Sequence, residues 1–478
     1  MTAWIVERGE TAPVAQVPVV TGLRAIWDCL LFFKDPIRVV ERQYRRNGPV
    51  VAFKLIGKKI GGLLVVGARY NREVLNRTDV ARPTSLWQVT GASGSAQAEF
   101  RRGYLGTQGK EHETLHSAVA SQMTKPRVEQ HFAALRDLAI ASVDRWPTDQ
   151  TVDLYALNRQ TGREAAFKLL FGEPDEAQIH RFVTMLEKHH LINWQARAYV
   201  SQINVRGCPY HAVQRNAERL AEFISQWIAE QRHADRRSNL RAALAAIDTT
   251  DSALSTPKRM AGHFSFLGFA AYETMSSVLT WILFLLALHP SVLADLVDEI
   301  EAGTPLESVD SEELKNRPLL NGVIQESMRL VPPVPVIPWR AFEACEVAGL
   351  YLQAGTKIMI SPHLTHRLPE LFADPLRFRP ERWLSIKPSP YEYLPFSGGP
   401  RRCPGAQFGT EFLRVALTAI TRRYRIELGS GARIDYAYRG ITMPKPGIPV
   451  MLAKQDRRFR APDVSGSLFE LVKVDRPN

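Results

Sequence analysis

Cysteine is scarce in this chain, and nothing in the sequence divides it. Only four cysteines occur among 478 residues, too few for a disulfide framework, which indicates a reducing compartment. No linker rich in Gly and Ser or in Pro interrupts the sequence, and no internal repeat is visible. Although the length alone would allow about three domains, the sequence favours one large domain over residues 35–478, preceded by an N-terminal extension over residues 1–34.

Long apolar segments near the N-terminus are also missing. The start, MTAWIVERGE, carries two Glu and lacks the basic and then apolar order of a secretory signal. The next apolar run, residues 25–33, is broken by Asp28 and is shorter than the roughly 20 residues that span a bilayer. We therefore expect a cytoplasmic protein without a transmembrane anchor. For Leu30, Leu31, Phe32 and Phe33 we expect burial in the core, with a peripheral membrane contact as the open alternative.

Basic residues are in excess, but no nucleic-acid-binding module accompanies them. Lys and Arg number 61 against 49 Asp and Glu, which gives a net charge of +12. Such an excess can serve nucleic acid, an anionic membrane or an acidic protein partner. Because the cations are scattered, we expect no nucleic-acid partner.

One stretch carries most of the chemical information. Residues 396–405 read FSGGPRRCPG, and a helical pattern follows them. Cys403 lies just ahead of that pattern, where free amide donors and the helix dipole stabilise an anion, so its sulfur is suited to bind a metal as the thiolate. The glycines let the backbone approach a flat cofactor, Phe396 would shield one side, and Arg401 supplies a cation for an acidic edge of that cofactor.

The spacing F-x-x-G-x-R-x-C-x-G is matched at every specified position, by Phe396, Gly399, Arg401, Cys403 and Gly405. In this stretch the sequence resembles the cytochrome P450 superfamily, in which a cysteine thiolate ligates haem iron. The resemblance implies a mainly α fold with small β-sheets, triangular in outline, in which haem b lies between a long central helix and the cysteine loop. The ordinary alternative, a buried inert cysteine, is disfavoured by a match at five positions.

The longest apolar element, about Pro257–Leu288, predicts a buried helix on the order of 45 Å long. Within it Ala270 and Ala271 leave room for a small ligand, and Thr274 can donate a hydrogen bond to the carbonyl of Ala270. The segment is similar to the family's acid–alcohol motif, with Ala271 in place of the usual Gly. The resemblance implies that Thr274 hydrogen-bonds dioxygen and that Glu273 helps to relay protons from water. The alternative is a Thr that only caps its own helix backbone.

Further residues acquire roles through the same resemblance. Glu326 and Arg329 are three apart on a predicted helix, and Arg382 belongs to a segment like the family's P-E-R-F. The three are expected to form a buried network that holds the cysteine loop. Arg340 matches a family position that contacts a haem propionate.

Two histidines follow a segment without steady periodicity. Residues 82–109, rich in Gly, Ser, Thr and Gln, predict a loop over the site, which in the family helps to recognise substrate. His112 and His116 are four apart and share a helix face, but a metal would need ligands that the sequence does not provide nearby. His112 fits a family position that reaches the haem propionates, whereas His116 stands where Arg is more usual. The alternative is a pair of ordinary surface histidines.

Local patterns also predict short elements. Asp35 and the proline after it predict the start of a helix. Two β-hairpins are predicted, one joining 50–55 to 61–66 and the other joining 347–352 to 357–361.

The resemblance covers about residues 35–458, and its motifs occur in the right order. It implies a soluble bacterial-type haem-thiolate monooxygenase that uses O2 and two electrons to insert one oxygen atom into an apolar small-molecule substrate. An apolar pocket fits fatty acids, terpenoids, steroids and aromatic compounds equally. Two rivals stay open: a peroxygenase or non-oxygenating haem-thiolate enzyme, which often lacks the acid–alcohol pair, and a non-catalytic haem sensor or carrier.

No flavin or iron–sulfur pattern is seen in the chain, so we expect electrons from a separate protein. The net positive charge of the chain favours an acidic ferredoxin or flavodoxin that receives its electrons from a reductase. We expect the enzyme itself to be a monomer. We expect that partner to dock on the proximal side through Arg401, Arg402, Arg414, Arg422 and Arg423.

Overall fold

The computed structural model describes residues 3–5, 17–54, 60–85, 87–172, 175–195, 197–198, 201–230, 239–241 and 256–474. Helices make up most of the described chain. The α-helices span Gly22–Lys34, Pro36–Asn47, Ala68–Leu75, Ala96–Arg102, Gly109–Ser121, Lys125–Gln130, Phe132–Asp144, Leu154–Ala165, Glu176–Asn193, Pro209–Ala229, Pro257–Leu288, Pro290–Glu301, Ser311–Lys315, Pro318–Leu330, Pro362–Thr365 and Ala406–Arg423. A π-helical turn covers Ala166–Leu170, and 3-10 turns cover Pro380–Leu384, Gly399–Arg401 and Ser467–Glu470.

The strands form one larger sheet and several small ones. The seven-stranded sheet runs, in spatial order, through Ala3–Ile5, Val17–Thr21, Val50–Lys54, Gly62–Val65, Lys357–Ile360, Ile337–Ala341 and Ala81–Pro83. The three-stranded sheet contains Tyr424–Leu428, Pro449–Lys454 and Thr151–Asp153. Two-stranded pairs join Ala432–Arg433 to Val464–Ser465, Asp435–Tyr438 to Thr442–Lys445, and Cys345–Val347 to Leu350–Leu352.

The helix Pro257–Leu288, here called the central helix, is the core of the molecule. It begins at Thr256, whose side chain accepts a hydrogen bond from the amide of Arg259, and Pro257 fits the first turn because its missing N–H is not needed there. The central helix is long and apolar enough to cross a membrane, but 89% of its most apolar window is buried inside the fold. That burial is typical of the core helix of a globular protein. The predicted bounds and burial of this helix are confirmed.

The segment predicted as an irregular loop, residues 82–109, contains the helix Ala96–Arg102, so that prediction is wrong over this part. The side chain of Ser95 accepts a hydrogen bond from the amide of Ala98 at 3.2 Å and so caps the helix. Phe100 is fully buried in the main core. A short helix of this kind is stabilised by a cap and by tertiary packing, neither of which gives a periodic sequence signal.

One predicted hairpin is also wrong. The strand Leu350–Leu352 pairs with Cys345–Val347, whereas Lys357–Ile360 joins the seven-stranded sheet. Ala348 and Gly349 both adopt positive φ, 55° and 75°, which matches the two-residue turn that suits the twist of a hairpin. For the other predicted hairpin, Val50–Lys54 and Gly62–Val65 pair antiparallel, and the turn over residues 55–59 lies outside the described residues.

The N-terminal segment packs on the sheet in its described part. Val17–Thr21 pairs in parallel with Val50–Lys54, although the predicted division of the chain at residue 35 stays a prediction. Within the helix Gly22–Lys34 the side chain of Leu30 is 56% exposed, so the expected burial of this residue is wrong. The next three residues, Leu31 to Phe33, are half-buried.

Candidate functional site

The cysteine loop is a closed turn held by its own backbone. The amide of Cys403 donates to the carbonyl of Phe396 at 2.9 Å, and a 3-10 turn covers Gly399–Arg401. Gly399 has a φ of +64°, and a Cβ on it would lie 2.6 Å from the carbonyl oxygen of Leu75. Glycine is therefore required here by both the conformation and the close approach of the neighbouring helix. The helix Ala406–Arg423 begins directly after the loop, as predicted.

The sulfur of Cys403 faces an enclosed space. Its side chain has accessible surface, yet the surrounding chain desolvates the thiol and raises its pKa, although the Gly405 amide and Arg402 both act to lower it. An accessible side chain and a desolvated thiol are compatible if the sulfur borders space inside the fold and not bulk solvent. Burial therefore opposes the ionisation that the amide donors favour, and the expected thiolate stays a prediction.

The central helix presents one accessible face in its otherwise buried middle. Phe266, Ala270 and Thr274, with Ala271 beside them, are half-exposed while the residues around them are buried. Their spacing of four places them on one side of the helix. A Cβ built on Gly409, in the helix after the cysteine loop, would lie 3.8 Å from the side chain of Met275. The helix after the cysteine loop therefore packs against the central helix at the residue next to Thr274.

Thr274 and Glu273 have different surroundings. The hydroxyl of Thr274 donates to the carbonyl of Ala270 at 2.9 Å, as predicted. Glu273 is buried and does not share that accessible face; it accepts hydrogen bonds from the hydroxyl of Tyr155 and from Nε of Arg159, the latter at 3.0 Å. Both carboxylate oxygens therefore act as acceptors. Burial raises the pKa of Glu273, and Arg159 and Tyr155 offset only part of that effect.

The Glu273 contacts continue toward the surface. Arg159 also forms an ion pair with Glu187, and the hydroxyl of Tyr272 donates to Glu187 at 3.2 Å. The side chains of Arg159 and Glu187 are partly exposed. Sequence reasoning missed Tyr155, Arg159 and Glu187, because they lie on two helices remote in sequence from Glu273, Leu154–Ala165 and Glu176–Asn193, and belong to no recognised motif.

The two histidines lie together on the helix Gly109–Ser121. Their ring centroids are 5.3 Å apart. Burial lowers the pKa of His112 to about 4, with smaller contributions from Arg401 and His116, and burial and Arg401 also lower the pKa of His116. Both rings are therefore neutral near neutral pH. No group of three or more His, Cys, Asp or Glu suited to a metal ion occurs among the residues that the structure describes.

The two predicted cations, Arg401 and Arg340, lie on different elements of the fold. Arg401 is half-buried, and its guanidinium donates to the carbonyl of Thr107 at 2.7 Å, which ties the cysteine loop to the segment before the histidines. Arg340 lies on the strand Ile337–Ala341 and is also half-buried. Arg82 acts electrostatically on Arg401, because its charge contributes to lowering the pKa of Arg401, which burial lowers most.

The predicted network around Glu326 is present. Its carboxylate accepts two hydrogen bonds from Arg329, at 2.8 and 2.9 Å, and one from Arg382 at 3.0 Å. The indole of Trp383 adds a further hydrogen bond at 3.0 Å. The hydroxyl of Tyr393, three residues before Phe396, donates to the carbonyl of Gln325. The network thus adjoins the segment that enters the cysteine loop.

The five arginines expected on the proximal side do not form one exposed surface. Arg414 is 14% exposed and pairs with Glu411. Arg423 pairs with Asp144 and Glu307. Arg401 and Arg422 are half-buried, and Arg402 alone of the five is exposed. The expected docking surface needs other cations to complete it.

Comparison with known proteins gives consistent results. The sequence matches the family model described as Cytochrome P450 over residues 23–452. A protein of Mycobacterium tuberculosis designated cytochrome P450 139 is 26% identical over 426 residues, which cover 86% of this chain and 96% of that protein. Abscisic acid 8'-hydroxylase 2 of Arabidopsis thaliana is 25% identical over 351 residues, 72% of this chain and 71% of that protein.

A solved structure has the same fold. Retinoic acid-bound cyanobacterial CYP120A1 matches with a TM-score of 0.75 at 20% sequence identity, over 89% of this chain and 96% of that one. This similarity confirms the mainly α architecture with small sheets. The family match over most of the sequence confirms the resemblance that was based on the cysteine loop. The chain belongs to the cytochrome P450 family, whose members are oxidoreductases that carry haem on a cysteine thiolate and act as monooxygenases.

Proposed function

We propose that this protein inserts one atom of O2 into an apolar small-molecule substrate, most simply as a hydroxylation, with electrons from a separate acidic ferredoxin or flavodoxin and its reductase. The observation that carries the proposal is an accessible Cys403 thiol just before a helix that packs on the central helix, which has its own accessible face around Ala270 and Thr274. A relative named as a hydroxylase, 25% identical to this chain, supports the reaction type.

The residues present fit haem. Cys403 is a free cysteine with an accessible side chain, and Ala270 and Ala271 leave the central helix flat where a large planar group would lie. Arg401, Arg340 and the neutral His112 are the groups we assign to its carboxylate edge, with His116 beside them. When bound, haem with its thiolate ligand activates dioxygen with two electrons, so that one oxygen atom enters the substrate and the other leaves as water.

The chain itself manages the protons. The hydroxyl of Thr274 faces the accessible interior and can turn from the Ala270 carbonyl toward an oxygen there. Glu273 takes up a proton more readily than an exposed glutamate because burial raises its pKa. We assign Arg159 and Glu187 to the connection between Glu273 and solvent, since both are partly exposed.

The electron donor is proposed to dock beside the cysteine loop. The helix Ala68–Leu75, which packs against the loop at Gly399, presents Arg69 and Arg72 as exposed cations. Together with the exposed Arg402 they form a basic surface that suits an acidic protein. Of the five arginines predicted from the sequence to bind the partner, this surface includes only Arg402.

The Arg402→Glu variant tests the docking surface. Reversal of this charge should slow reduction by an acidic ferredoxin about tenfold at low ionic strength, because like charges oppose the encounter. Raising the salt to roughly 0.5 M should remove most of the difference, since screening shortens the range of these charges. Stopped-flow reduction rates measure both effects, with Arg458→Glu, 80% exposed, as the matched control. Rates that do not respond to salt in the unmodified protein would rule the docking surface out.

Incorporation of labelled oxygen tests the reaction. With 18O2 and a reducing partner, the product should contain one labelled oxygen atom for each turnover. Full-rate turnover with hydrogen peroxide alone would instead show a peroxygenase. Absence of substrate-dependent oxygen consumption with every partner tried would show a sensor or carrier.

We also propose a compartment and an oligomeric state for the enzyme. All four cysteines are free, which suits a reducing, cytoplasmic compartment. We further propose that the enzyme acts as a monomer.

A further inference from the structure

The imidazole ring of His190, on the helix Glu176–Asn193, forms no hydrogen bond to any residue that the structure describes. The residue is 4% exposed, so water outside the fold does not reach the ring. Burial lowers the pKa of His190 to about 3, with smaller contributions from Arg439, His189 and Arg159. The ring is therefore neutral and offers one N–H donor and one acceptor nitrogen. Because a buried polar group without a partner costs free energy, we expect a partner from outside the chain.

Two indoles with unused donors lie beside this histidine. The ring centroid of Trp87 is 5.9 Å from that of His190, and the ring centroid of Trp194 is 6.3 Å from it. The indole nitrogens of Trp87 and Trp194 are buried and bond to no acceptor in the described ranges. These three residues, here called the indole–imidazole cluster, thus bring together three polar side chains that the chain does not satisfy.

One other described histidine leaves both ring nitrogens without a hydrogen bond, and it differs from His190. That residue is His263, whose Nε2 lies 3.7 Å from a carboxylate oxygen of Glu111. Among the described residues, no carboxylate is found among the groups that act electrostatically on His190. An oxygen of a bound molecule is the partner that remains for His190 and the two indoles.

The indole–imidazole cluster lies next to the accessible face of the central helix. The ring of His190 packs against that of Phe269, with centroids 4.3 Å apart. Phe269 immediately precedes Ala270, which belongs to the accessible face. Trp194 is itself half-buried, although its nitrogen is fully buried. The cluster therefore borders the space in which we place the substrate.

A pair of strands closes the other end of that space. The hydroxyl of Ser277, three residues after Thr274 and on the same side of the central helix, donates to the carbonyl of Thr442. Thr442 is the antiparallel partner of Tyr438, and the ring of Tyr438 lies 5.4 Å from that of Trp194. The space beside Thr274 is thus bounded by the indole–imidazole cluster at one end and by these strands at the other.

We propose that the indole–imidazole cluster binds an uncharged oxygen of the substrate, a hydroxyl or a carbonyl, and so selects an otherwise apolar molecule that carries this oxygen away from the carbon to be oxidised. A hydroxyl can both accept from and donate to His190, and either oxygen can accept a second N–H from Trp194. Phe269 is five residues before Thr274, which separates the oxygen from the Thr274 hydroxyl by roughly 8 Å along the helix axis. The inference rests on the proposed function for the oxidation itself, but binding is measured without turnover.

Calorimetric titration of the haem-loaded protein tests the inference. The probes are primary alcohols and methyl ketones with chains from octyl to tetradecyl, each compared with the 1-fluoroalkane of the same length, which is a poor hydrogen-bond acceptor. At the best length the alcohol or the ketone should bind about tenfold more tightly than the fluoroalkane, as one net hydrogen bond allows. The His190→Phe variant should lose that preference, with its affinity for the fluoroalkane unchanged.

Three further measurements separate binding from a structural role. Because His190→Phe removes an unpartnered polar group from the interior, the free energy of unfolding without ligand should stay the same or rise. A lower value would show that the ring stabilises the fold and would count against the inference. Trp194→Phe should reduce the preference for the alcohol, whereas His180→Phe, at an exposed histidine of the same helix, should leave it unchanged.

Equal affinity for alcohol, ketone and fluoroalkane at every length, or a preference that survives in His190→Phe, would overturn the inference. So would carboxylic acids of the same lengths that bind more tightly than the alcohols, because they would assign the site to an anion beside Arg439. Failure of 18O incorporation into an alcohol or ketone that binds would instead count against the proposed function and leave the binding assignment intact.

Discussion

Replacing Glu326 with Ala is expected to lower the free energy of unfolding by about 3–5 kcal/mol, because the change leaves buried guanidinium groups without their shared carboxylate. Glu326 and Arg329 are both fully buried, and Arg382 is nearly so. The same carboxylate also accepts from the amide of Arg379 and from Trp383, so the loss affects five hydrogen bonds. Urea unfolding of the haem-loaded protein measures the change.

Two further variants make the Glu326 result interpretable. Glu326→Gln keeps the volume and loses the charge, so it should fall between the unmodified protein and the Ala variant and provides a soluble sample if the Ala variant does not fold. Glu381→Ala removes an exposed carboxylate from the adjoining segment, which is paired with Arg379 at the surface, and should cost less than about 1 kcal/mol. A Glu326→Gln protein with the same free energy of unfolding as the unmodified protein would show that the network does not stabilise the fold.

Replacing Glu273 with Gln is expected to lower product formation about 100-fold, the lower end of what a positioned proton-transfer group contributes. The amide keeps the shape of the side chain but cannot take up and release a proton. Oxygen consumption should then yield more hydrogen peroxide per electron pair and less product. The measurement is product and peroxide per electron donor consumed.

The dependence on pH gives an independent check of Glu273. Because burial raises its pKa, this carboxyl keeps a proton to higher pH than an exposed glutamate, so product yield should fall as the pH rises through that value. The Glu273→Gln variant should lose this decline. Tyr155→Phe is the matched control, since it removes one hydrogen bond to the same carboxylate and leaves the carboxylate itself. Normal coupling in Glu273→Gln would remove Glu273 from the proton path.

Features encoded at short range could be predicted from the sequence. The central helix is predictable because one apolar run, a first-turn proline and a terminal His-Pro pair define it locally. The bond from Thr274 to the Ala270 carbonyl follows from helix spacing alone. Glu326 and Arg329 are also local neighbours, and only the position of Arg382 required the family resemblance.

Features that depend on long-range packing were not predictable in the same way. The partners of Glu273 lie more than 100 positions away in sequence, at Tyr155 and Arg159, and no motif connects them. The contacts of His190 with Trp87 and Phe269 join three segments far apart in sequence, which no local pattern defines. The desolvation of the Cys403 thiol depends on how deeply the fold buries it, and a helix-dipole argument does not contain that contribution.

The bond between the Cys403 sulfur and haem iron is the central claim, and a carbon monoxide difference spectrum of the reduced protein tests it most directly. The Soret band should lie where thiolate-bound iron places it, and it should disappear from that position in a Cys403→His variant that still holds haem. A band typical of imidazole-bound iron in the unmodified protein, or no porphyrin at all, would contradict the claim.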